Sequence, residues 1–414
     1  MKRRPREFGQ ALLAATFALV FLLGASGLAI DMGYLRYQKR LQQSAADSAA
    51  LAGAGEFPSR NNAQIITAAT NDTALNGFTD GFTGPDGIFH VQITVNPAFA
   101  FGASTGVQTQ VQVTQPTFFM RIFGVNSTSV TATAVAIPTN SNNCIYALAG
   151  GAGISNSGRL SAAGCGIADD ENLANTGTIN ATSPATIAVH TTLSGGGGIT
   201  PTPVTGTSQA GDPLFRLTAP GTGGACMSVK GVDPGIIVGA TGKAPTPTFT
   251  LNSGKYCSGI TITNRANVIL TSGTYVVTGN TAPNGINWNG TGTVSGTGVT
   301  IYVARNAGQI QINNRPGANE QLTLTAPTTT AYAGILFYQD SRNALSATID
   351  GKAGSTLRGA LYFPSATLKL SNINLTAYTI TVAQSLTFGG NVSLGSDFST
   401  LPGGSPIKNA VLVE

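Results

Sequence analysis

Two histidines, His90 and His190, are the only imidazoles available for proton transfer near neutral pH. His90 begins an alternating run, HVQITV, and His190 borders a glycine-rich stretch. Neither has a nucleophile or a carboxylate at a spacing that would form a catalytic pair. We therefore expect no catalytic role for either residue.

Carboxylates offer two other kinds of site. The run Asp169-Asp170-Glu171 supplies oxygen ligands of the type that calcium prefers. It lacks the alternating spacing of a calcium loop, so we interpret it as a solvated loop. Polysaccharide cleavage needs a pair of carboxylates, and no spacing selects a pair among Glu320, Asp340, Asp350 and Asp397. We predict that the protein is not an enzyme and that it holds no metal or cofactor.

The four cysteines carry a clearer signal: Cys144, Cys165, Cys226 and Cys257. No two of them have CxxC spacing and histidines are scarce, which argues against a zinc site. An even number of cysteines in an exported chain is typical of disulfides. Of the three possible pairings we predict Cys144–Cys165 and Cys226–Cys257, because such short loops suit turns between adjacent strands.

Export is indicated by the first 57 residues. An uncharged, mostly apolar run, Phe8–Ile30, reaches the roughly 20 residues that a helix needs to cross the bilayer. A cleaved signal peptide is the alternative, since Gly24-Ala25-Ser26-Gly27 is similar to the end of one. We favour an uncleaved, single-pass inner-membrane anchor, because apolar character resumes through Ile30.

Charge gives the orientation of this span. Residues 1–6 hold four cations, Lys2, Arg3, Arg4 and Arg6, which favour a cytoplasmic N-terminus and a periplasmic or surface-exposed remainder. Arg36, Lys39 and Arg40 weaken that bias. The net charge of +5 resides in residues 1–40, and residues 41–414 hold fifteen charges of each sign. A nucleic-acid partner needs cations gathered on one face, so we expect none, and no small-molecule substrate is evident.

An alanine-rich helical stretch follows the span, from Asp31 to Phe57. Residues at the helical period form a stripe on it that we predict to be a packing face: Tyr34, Tyr37, Leu41, Ala45, Ala49 and Ala52. Gln43 and Asp47 lie off this stripe. We expect the stripe to pack against the strands at 90–137 or against a helix of a partner.

The rest of the chain predicts a mainly β fold after the N-terminal transmembrane and periplasmic helix. Residues 61–76 suggest a short helix, and alternation at His90–Val95, Val107–Thr114 and Ser129–Ile137 predicts three antiparallel strands. Short alternating runs then recur between Gly259 and Leu394 without a helical period. They predict a β-solenoid (β-helix-like) domain, with a β-sandwich as the alternative.

These elements divide the chain into three predicted regions. Residues 1–57 contain the basic N-terminus, the span and the helical extension, and residues 58–139 form a small α+β unit. Residues 140–414 form the Gly/Thr-rich solenoid-like domain, with flexible loops at 195–207 and 239–250, where Gly, Pro and Thr are concentrated.

Two segments near the N-terminus, Gly27–Tyr34 (GLAIDMGY) and Gln42–Ala54 (QQSAADSAALAGA), are fairly specific motifs. With the basic start and apolar span, they resemble the TadG-like members of the tight-adherence (Flp) pilus-assembly family. Less specifically, Pro116–Gly124 (PTFFMRIFG) and Val130–Ala134 (VTATA) resemble the continuation of that family. Gly334–Asp340 and Gly359–Pro364 are similar to the C-terminal regions of some such proteins.

The resemblance implies an anchored, periplasm-facing component of a bacterial pilus-assembly system, whose partners are the inner membrane and other pilus-assembly proteins. Some relatives carry a von Willebrand A-type domain with a DxSxS metal site, and Asp397–Leu401 (DFSTL) departs from it at the last position. We therefore predict a structural component that acts through protein–protein contacts. The alternatives are an envelope-anchored adhesin or carbohydrate-binding β-solenoid and, less favoured, a polysaccharide-degrading enzyme.

Overall fold

The computed structural model describes residues 8–57, 62–85, 87–102, 104–140, 143–182, 185–215, 217–227, 235–279, 285–352, 354–374, 378–399, 401 and 404–413. The predicted basic segment, residues 1–6, lies outside the described residues. The chain divides into two compact units. Unit 1 comprises residues 1–139 and 408–414, and unit 2 comprises residues 140–407.

Unit 1 begins with two helices, α1 (Phe8–Gly55) and α2 (Asn62–Leu75). Helix α1 is continuous over 48 residues, because its sequence contains no proline and is rich in alanine, the residue with the highest helix propensity. The two helices lie side by side near the end of α1, where the Ser48 hydroxyl donates a hydrogen bond to the Asp72 carboxylate. The buried residues of α2 are Ile65, Ala69 and Thr73.

A four-stranded sheet completes unit 1. Its strands are β1 (His90–Phe101), β2 (Ser104–Pro116), β3 (Ser127–Asn140) and β29 (Lys408–Val413), in the order β1-β2-β3-β29. The first three are antiparallel neighbours, as the alternation predicts. Small and β-branched side chains of their dry face, such as Val91, Val111 and Ala134, form one core with the alanines of α1.

Strand β29 belongs to unit 1 although the sequence analysis assigns residues 408–414 to the solenoid region. The strand lies beside β3, and both helix α1 and β3 contact it. Unit 2 is therefore inserted, in chain order, between two neighbouring strands of the unit 1 sheet. Local alternation does not reveal which sheet a terminal strand joins.

Unit 2 is a parallel β-solenoid in which most strands pair with the strand three places further along the chain. Its first half contains β4 (Asn143–Ala147), β5 (Gly153–Asn156), β6 (Arg159–Ala163), β7 (Gly166–Asp169), β8 (Leu173–Asn175), β9 (Thr178–Ala181), β10 (Ile187–Val189), β11 (Leu193–Ser194), β12 (Gly198–Thr200) and β13 (Val204–Thr205). Representative parallel pairs are β4–β7, β5–β8 and β6–β9. The predicted loop at 195–207 thus carries two short strands, β12 and β13.

The second half follows the same rule. Its strands are β14 (Ile236–Val238), β15 (Thr248–Leu251), β16 (Gly254–Tyr256), β17 (Ile260–Thr263), β18 (Asn267–Leu270), β19 (Gly273–Val277), β20 (Ile286–Trp288), β21 (Thr293–Thr297), β22 (Val299–Val303), β23 (Ile310–Ile312), β24 (Gln321–Thr325), β25 (Ile335–Gln339), β26 (Ala347–Asp350), β27 (Thr356–Asn374) and β28 (Thr379–Gly395). The long strands β27 and β28 each span more than one face of a coil. The predicted loop at 239–250 includes the start of β15.

The chain enters this solenoid in its middle. Strand β28 pairs in parallel with β27 on one side and with β4, β5 and β6 on the other. The first half therefore winds away from β28 to β13, and the second half winds back from β14 to β28. One hydrophobic core runs through both halves, so the predicted solenoid is confirmed.

Stacked aliphatic side chains explain why these sequences form coils. Ile260, Ile286 and Ile310 are register partners on successive coils, and all three are fully buried. Asn264 and Asn313 lie at corners with φ of 59° and 54°, a region that asparagine tolerates better than most residues. Aliphatic residues inside and asparagine at the corners therefore follow directly from the alternating pattern.

Candidate functional site at the end of the apolar helix

Helix α1 has two halves of different character. From residue 12 to residue 30 the side chains are exposed, and Gly27 is the one buried position. Among the described residues, α1 is the one helix that is long and apolar enough to cross a membrane, judged by length and composition. An N-terminal helix of this kind fits a single-pass membrane anchor.

Asp31 marks the transition between the two halves. Its carboxylate accepts hydrogen bonds from three consecutive backbone N–H groups, those of Phe118 (2.9 Å), Phe119 (2.9 Å) and Met120 (2.6 Å). These N–H groups begin a 3₁₀-helix, Met120–Phe123, inside the β2–β3 loop, which we define as residues 117–126. The first N–H groups of a helix have no partner within it, and Asp31 supplies one from 87 to 89 residues away.

Two neighbours of Asp31 on α1 hold the same loop. The Phe119 ring lies so close to Gly27 that a Cβ added there would stand 2.7 Å from two ring carbons. Tyr34 packs edge-on against Phe118, with ring centroids 5.2 Å apart, and its hydroxyl donates to Gln115 Oε1 at 3.1 Å. Three positions of the motif GLAIDMGY, Gly27, Asp31 and Tyr34, thus contact the β2–β3 loop.

C-terminal to Asp31, helix α1 packs through small residues against the sheet and α2. The fully buried residues of this half are Gln42, Ala45, Ala46, Ala49, Ala50 and Ala54. Gly53 belongs to the same face, because an added Cβ there would stand 2.9 Å from Val107 Cγ1. The contact with the sheet and with α2 is therefore close enough to admit little beyond a methyl group.

The predicted stripe overlaps this face only in part. Ala45 and Ala49 are buried, Tyr34 and Ala52 are half-buried, and Tyr37 and Leu41 are 59% and 40% exposed. The buried line passes through Asp31, Gln42 and Ala46, on one flank of the predicted stripe. Tyr37 and Leu41 fit the helical period of the stripe but do not enter this interface, which contains small side chains.

Gln43 is a second difference from the sequence analysis, which places it off the packing stripe. Its amide donates to the Thr133 carbonyl at 3.0 Å and to Asp47 at 2.7 Å. The side chain therefore joins α1 to strand β3 and is not a free surface residue.

Comparison with known families bears on this part of the chain. Residues 9–56 match the family model described as putative Flp pilus-assembly TadE/G-like. The N-terminal segment is TadE/G-like. The resemblance predicted from the sequence motifs is confirmed for these residues. No curated protein and no solved structure matches the chain.

The match links the TadE/G-like segment to Flp pilus assembly, and it spans both halves of α1. Gly27, Asp31 and Tyr34 all lie within it. The β2–β3 loop that they hold lies outside the match. The TadE/G-like helix therefore binds a loop that is distant in sequence, and this contact is visible only in the folded structure.

The cysteines of unit 2 form two disulfides. Cys144 is joined to Cys165 and Cys226 to Cys257, the pairing expected from the sequence. The first links neighbouring coils at β4 and β7. The second ties the segment that precedes β14 to the coil at β17.

The acidic run is not a solvated loop, since Asp169 and Asp170 are both buried. Asp169 accepts hydrogen bonds from the backbone N–H groups of Glu171 and Ile154, and Glu171 accepts one from Gly150. Burial raises the pKa of Asp169 to about 6, against the lowering effect of its two backbone donors. Asp169 and Glu171 thus accept backbone hydrogen bonds from their own turn and from a neighbouring coil, and we assign them a role in the fold.

A connecting segment of unit 2 contacts several coils; we call its described residues, 206–215 and 217–227, the strap. Near its start, the N–H groups of Ala210 and Gly211 donate to Asp170 at 2.6 and 2.9 Å. Near its end, the Met227 N–H donates to the Lys255 carbonyl, and Cys226 forms its disulfide. The strap thus returns the chain from the end of the first half to the beginning of the second.

Three tyrosines on successive coils contact the strap or lie beside those that do. Tyr302, Tyr338 and Tyr362 are register partners on β22, β25 and β27, with ring centroids 5.0 and 5.1 Å apart. Tyr362 donates to Asp212 at 2.7 Å and Tyr338 to the Leu217 carbonyl at 3.0 Å. The three rings are buried, so their faces are not available for stacking on a sugar. Trp288 is also fully buried.

The remaining chemical candidates each have separate partners. Asp340 binds Tyr302 and Arg342, and the Arg342 guanidinium holds the pKa of that carboxyl well below its usual range. Asp350 pairs with Lys352. Glu320 accepts the Gly292 N–H, and burial raises its pKa to about 7. Asp397 accepts the Ser399 N–H.

The histidines also have separate partners. His90 Nδ1 lies 3.0 Å from the Thr83 hydroxyl. His190 Nδ1 lies 2.6 Å from the Thr207 carbonyl, to which it donates. Neither contact includes a carboxylate.

Sequence reasoning missed Asp31 as a functional position. A signal was present, because a single carboxylate directly after an uncharged run of this length needs an explanation. Its partners, however, are 87 to 89 residues away, and no local period indicates them.

Proposed function

We propose that this protein is a membrane-anchored, periplasm-facing structural component of a tight-adherence (Flp) pilus-assembly system, which acts through protein–protein contacts and not by catalysis. The observation that carries the proposal is the continuity of α1. The TadE/G-like helix passes from an exposed apolar half into a packed half without a break.

The exposed half of α1 supports an anchor. Side chains such as Leu13, Phe17 and Leu22 are exposed along the helix, and burying apolar area stabilises by about 25 cal/mol per Å². Water would therefore be an unfavourable environment for this surface, whereas lipid would match it. The four cations of residues 1–6 then favour a cytoplasmic N-terminus.

The two disulfides support export of unit 2. Disulfides persist in oxidising compartments such as the periplasm and are rare in the cytosol. Both pairs lie in unit 2, after the apolar half of α1. An anchor with its N-terminus in the cytoplasm would deliver unit 2 to the periplasm.

The direct test is complementation in a bacterium that makes Flp pili and lacks the gene for this protein. Surface pili are counted by electron microscopy in cells that carry wild-type protein, Asp31→Ala or Asp47→Ala. Asp47 is the matched control, because it lies on the same helix and, within the described part of the chain, its carboxylate accepts a hydrogen bond from Gln43. We expect wild type and Asp47→Ala to restore pili and Asp31→Ala to restore fewer.

The same cells distinguish the adhesin alternative. Normal pilus numbers in the deletion strain, together with lost attachment to surfaces, would support an adhesin and contradict an assembly role. Topology is read separately from Leu75→Cys, since Leu75 is 85% exposed at the end of α2. A membrane-impermeant maleimide should label it in spheroplasts, and labelling only after lysis would overturn the orientation.

A further inference from the structure

The β2–β3 loop exposes an apolar surface. Ile122 and Phe123 are each 77% exposed, and parts of Phe118, Phe119 and Val125 are exposed as well. The single charged residue of the loop is Arg121, which is also exposed. Protein surfaces that face water rarely expose so many large apolar side chains in one short segment.

The loop is held against α1 between Gly27 and Asp31, at the end of the apolar run. Asp31 holds the N–H groups of residues 118–120, and Gly27 receives the Phe119 ring. Both contacts lie at the last turn of the apolar run. On the helix itself, the side chains next to Gly27, such as Leu23 and Leu28, are exposed and apolar. The apolar surface of the loop and that of the helix therefore lie side by side.

The length of the helix gives the position of Gly27 to Asp31 relative to the bilayer. The run Phe8–Ile30 rises about 34 Å at 1.5 Å per residue, and the hydrocarbon layer is about 30 Å thick. If the run spans the membrane, Gly27 to Asp31 lie where hydrocarbon meets the lipid headgroups. The loop must then lie at the same boundary.

The composition of the loop suits that boundary. Segments that insert into the interface present Phe and Leu to the acyl chains and Lys or Arg to the headgroups. Arg121 donates through Nε to the Thr117 carbonyl at 2.9 Å, and its exposed guanidinium lies where it could bind lipid phosphates. The charge of Asp31 faces three backbone N–H groups and is buried at 1% exposure.

We propose that the β2–β3 loop is a second membrane contact, which inserts Ile122 and Phe123 into the lipid leaflet where the apolar half of α1 ends. Its occupant is the bilayer, because the loop shares the level of the span and continues its apolar surface. The inference rests on the proposed anchor. Unit 1 would then be held at two points on the membrane surface, the helix and the loop.

The test uses single cysteines on the full-length protein. All cysteines of the described residues are paired in disulfides, so one introduced cysteine gives one reactive thiol. Ile122→Cys and Phe123→Cys report on the loop, Leu22→Cys on the span, and Leu75→Cys on an exposed apolar position of the same unit. Each is spin-labelled in nanodiscs of phosphatidylethanolamine and phosphatidylglycerol that hold one copy of the protein.

For each spin label, the rate of collision with oxygen, which concentrates in lipid, is compared with the rate of collision with a water-soluble nickel chelate. We expect labels at 122 and 123 to show a several-fold higher oxygen-to-nickel ratio than the label at 75, as the label at 22 should. If position 22 is lipid-like but 122 and 123 match position 75, the loop proposal fails and the anchor stands. If position 22 is itself accessible to nickel, both fail.

A third pattern identifies a different occupant. Shielding of positions 122 and 123 from oxygen and nickel alike would mean that protein covers the loop, and it would overturn the lipid assignment. Because these side chains are exposed, their replacement should not unfold unit 1, and recovery of intact protein with both disulfides checks this for each variant.

Discussion

The ring of Phe119 lies against the bare Cα of Gly27, at a distance that leaves no room for a side chain. The contact joins the end of the apolar half of α1 to the β2–β3 loop. It also gives a reason for glycine inside a helix, where that residue usually costs about 1 kcal/mol relative to alanine.

Gly27→Ala should therefore displace Phe119 and loosen the loop, although alanine favours the helix. We expect unit 1 to lose roughly 1–2 kcal/mol of stability from overpacking, less the gain in helix propensity. Gly24→Ala and Gly33→Ala are matched controls on the same helix, since an added Cβ at either position meets nothing within 4 Å. Thermal unfolding in detergent micelles measures the difference, and three equal melting temperatures would contradict the contact.

Overpacking should also affect the small-residue face of α1. Ala49 is fully buried, and Ala49→Leu adds methylenes to a close contact, at a cost of about 1–3 kcal/mol. Ser44→Leu is the control, because Ser44 is exposed on the same helix. Gln43 is unsuitable, since its amide bonds to Thr133.

Cell-based readouts separate two roles for this face. Degradation of Ala49→Leu with normal abundance of Ser44→Leu would mean that the face serves the fold. An abundant Ala49→Leu protein that supports no pili would mean that the face serves a partner. Wild-type abundance and pilus numbers for both variants would rule out a packed face.

The local elements of this protein could be predicted from its sequence because they depend on residues close together in the chain. The three antiparallel strands follow from alternation, and the coils of the solenoid follow from recurring short apolar runs. The joining of β28 to β4, by contrast, pairs Thr381 with Ile145. No local pattern distinguishes that neighbour from any other parallel strand.

The candidate site divides in the same way. Ala45 and Ala49 are recognisable as a close packing face because small residues recur at the helical period. The capping of the β2–β3 loop by Asp31 is not recognisable, since it depends on the register between α1 and the sheet. Tyr37 and Leu41 share the helical period of that face but are exposed in unit 1, because the register between α1 and the sheet places the buried line on one flank of the stripe.

The stability of unit 2 should depend on pH through Glu320. Its pKa is about 7 in the folded protein, against 4.5 as the ordinary value. Between these values the folded state keeps a proton that the unfolded state releases, so the free energy of unfolding falls as pH rises from 4.5 to 7. Above that window the loss is complete, at up to about 3 kcal/mol.

Glu320→Gln removes the titrating proton while it keeps the shape and an acceptor for the Gly292 N–H. We expect the variant to be more stable than wild type at pH 8 and similar to it at pH 5, by denaturant unfolding of the full chain in micelles. An equal difference at the two pH values would show that ionisation of Glu320 is not the cause.

Removal of the Cys226–Cys257 disulfide should release the end of the strap. The bond joins residues 31 positions apart, and loops of this order are worth roughly 3 kcal/mol in the chain-entropy model. We expect Cys226→Ser/Cys257→Ser to lower the stability of unit 2 and to open the strap to limited proteolysis.

Cys144→Ser/Cys165→Ser is the control for the strap. That bond joins neighbouring coils, and its cysteines are 21 positions apart, so its loss should lower stability without new cleavage between residues 206 and 227. Identical peptide maps for the two double variants would contradict the prediction that the Cys226–Cys257 disulfide specifically fixes the end of the strap.

Because unit 2 lies between β3 and β29 in the chain, the fourth strand of the unit 1 sheet is synthesised long after the first three. As the chain is made from its N-terminus, α1 and the first three strands emerge early, yet the fourth strand of their sheet follows only after all 268 residues from 140 to 407. Until then β3 presents an open edge, which is a template for wrong pairing. A molecule truncated within the solenoid would keep that edge permanently, so the four-stranded sheet is completed only in a chain that contains the whole solenoid.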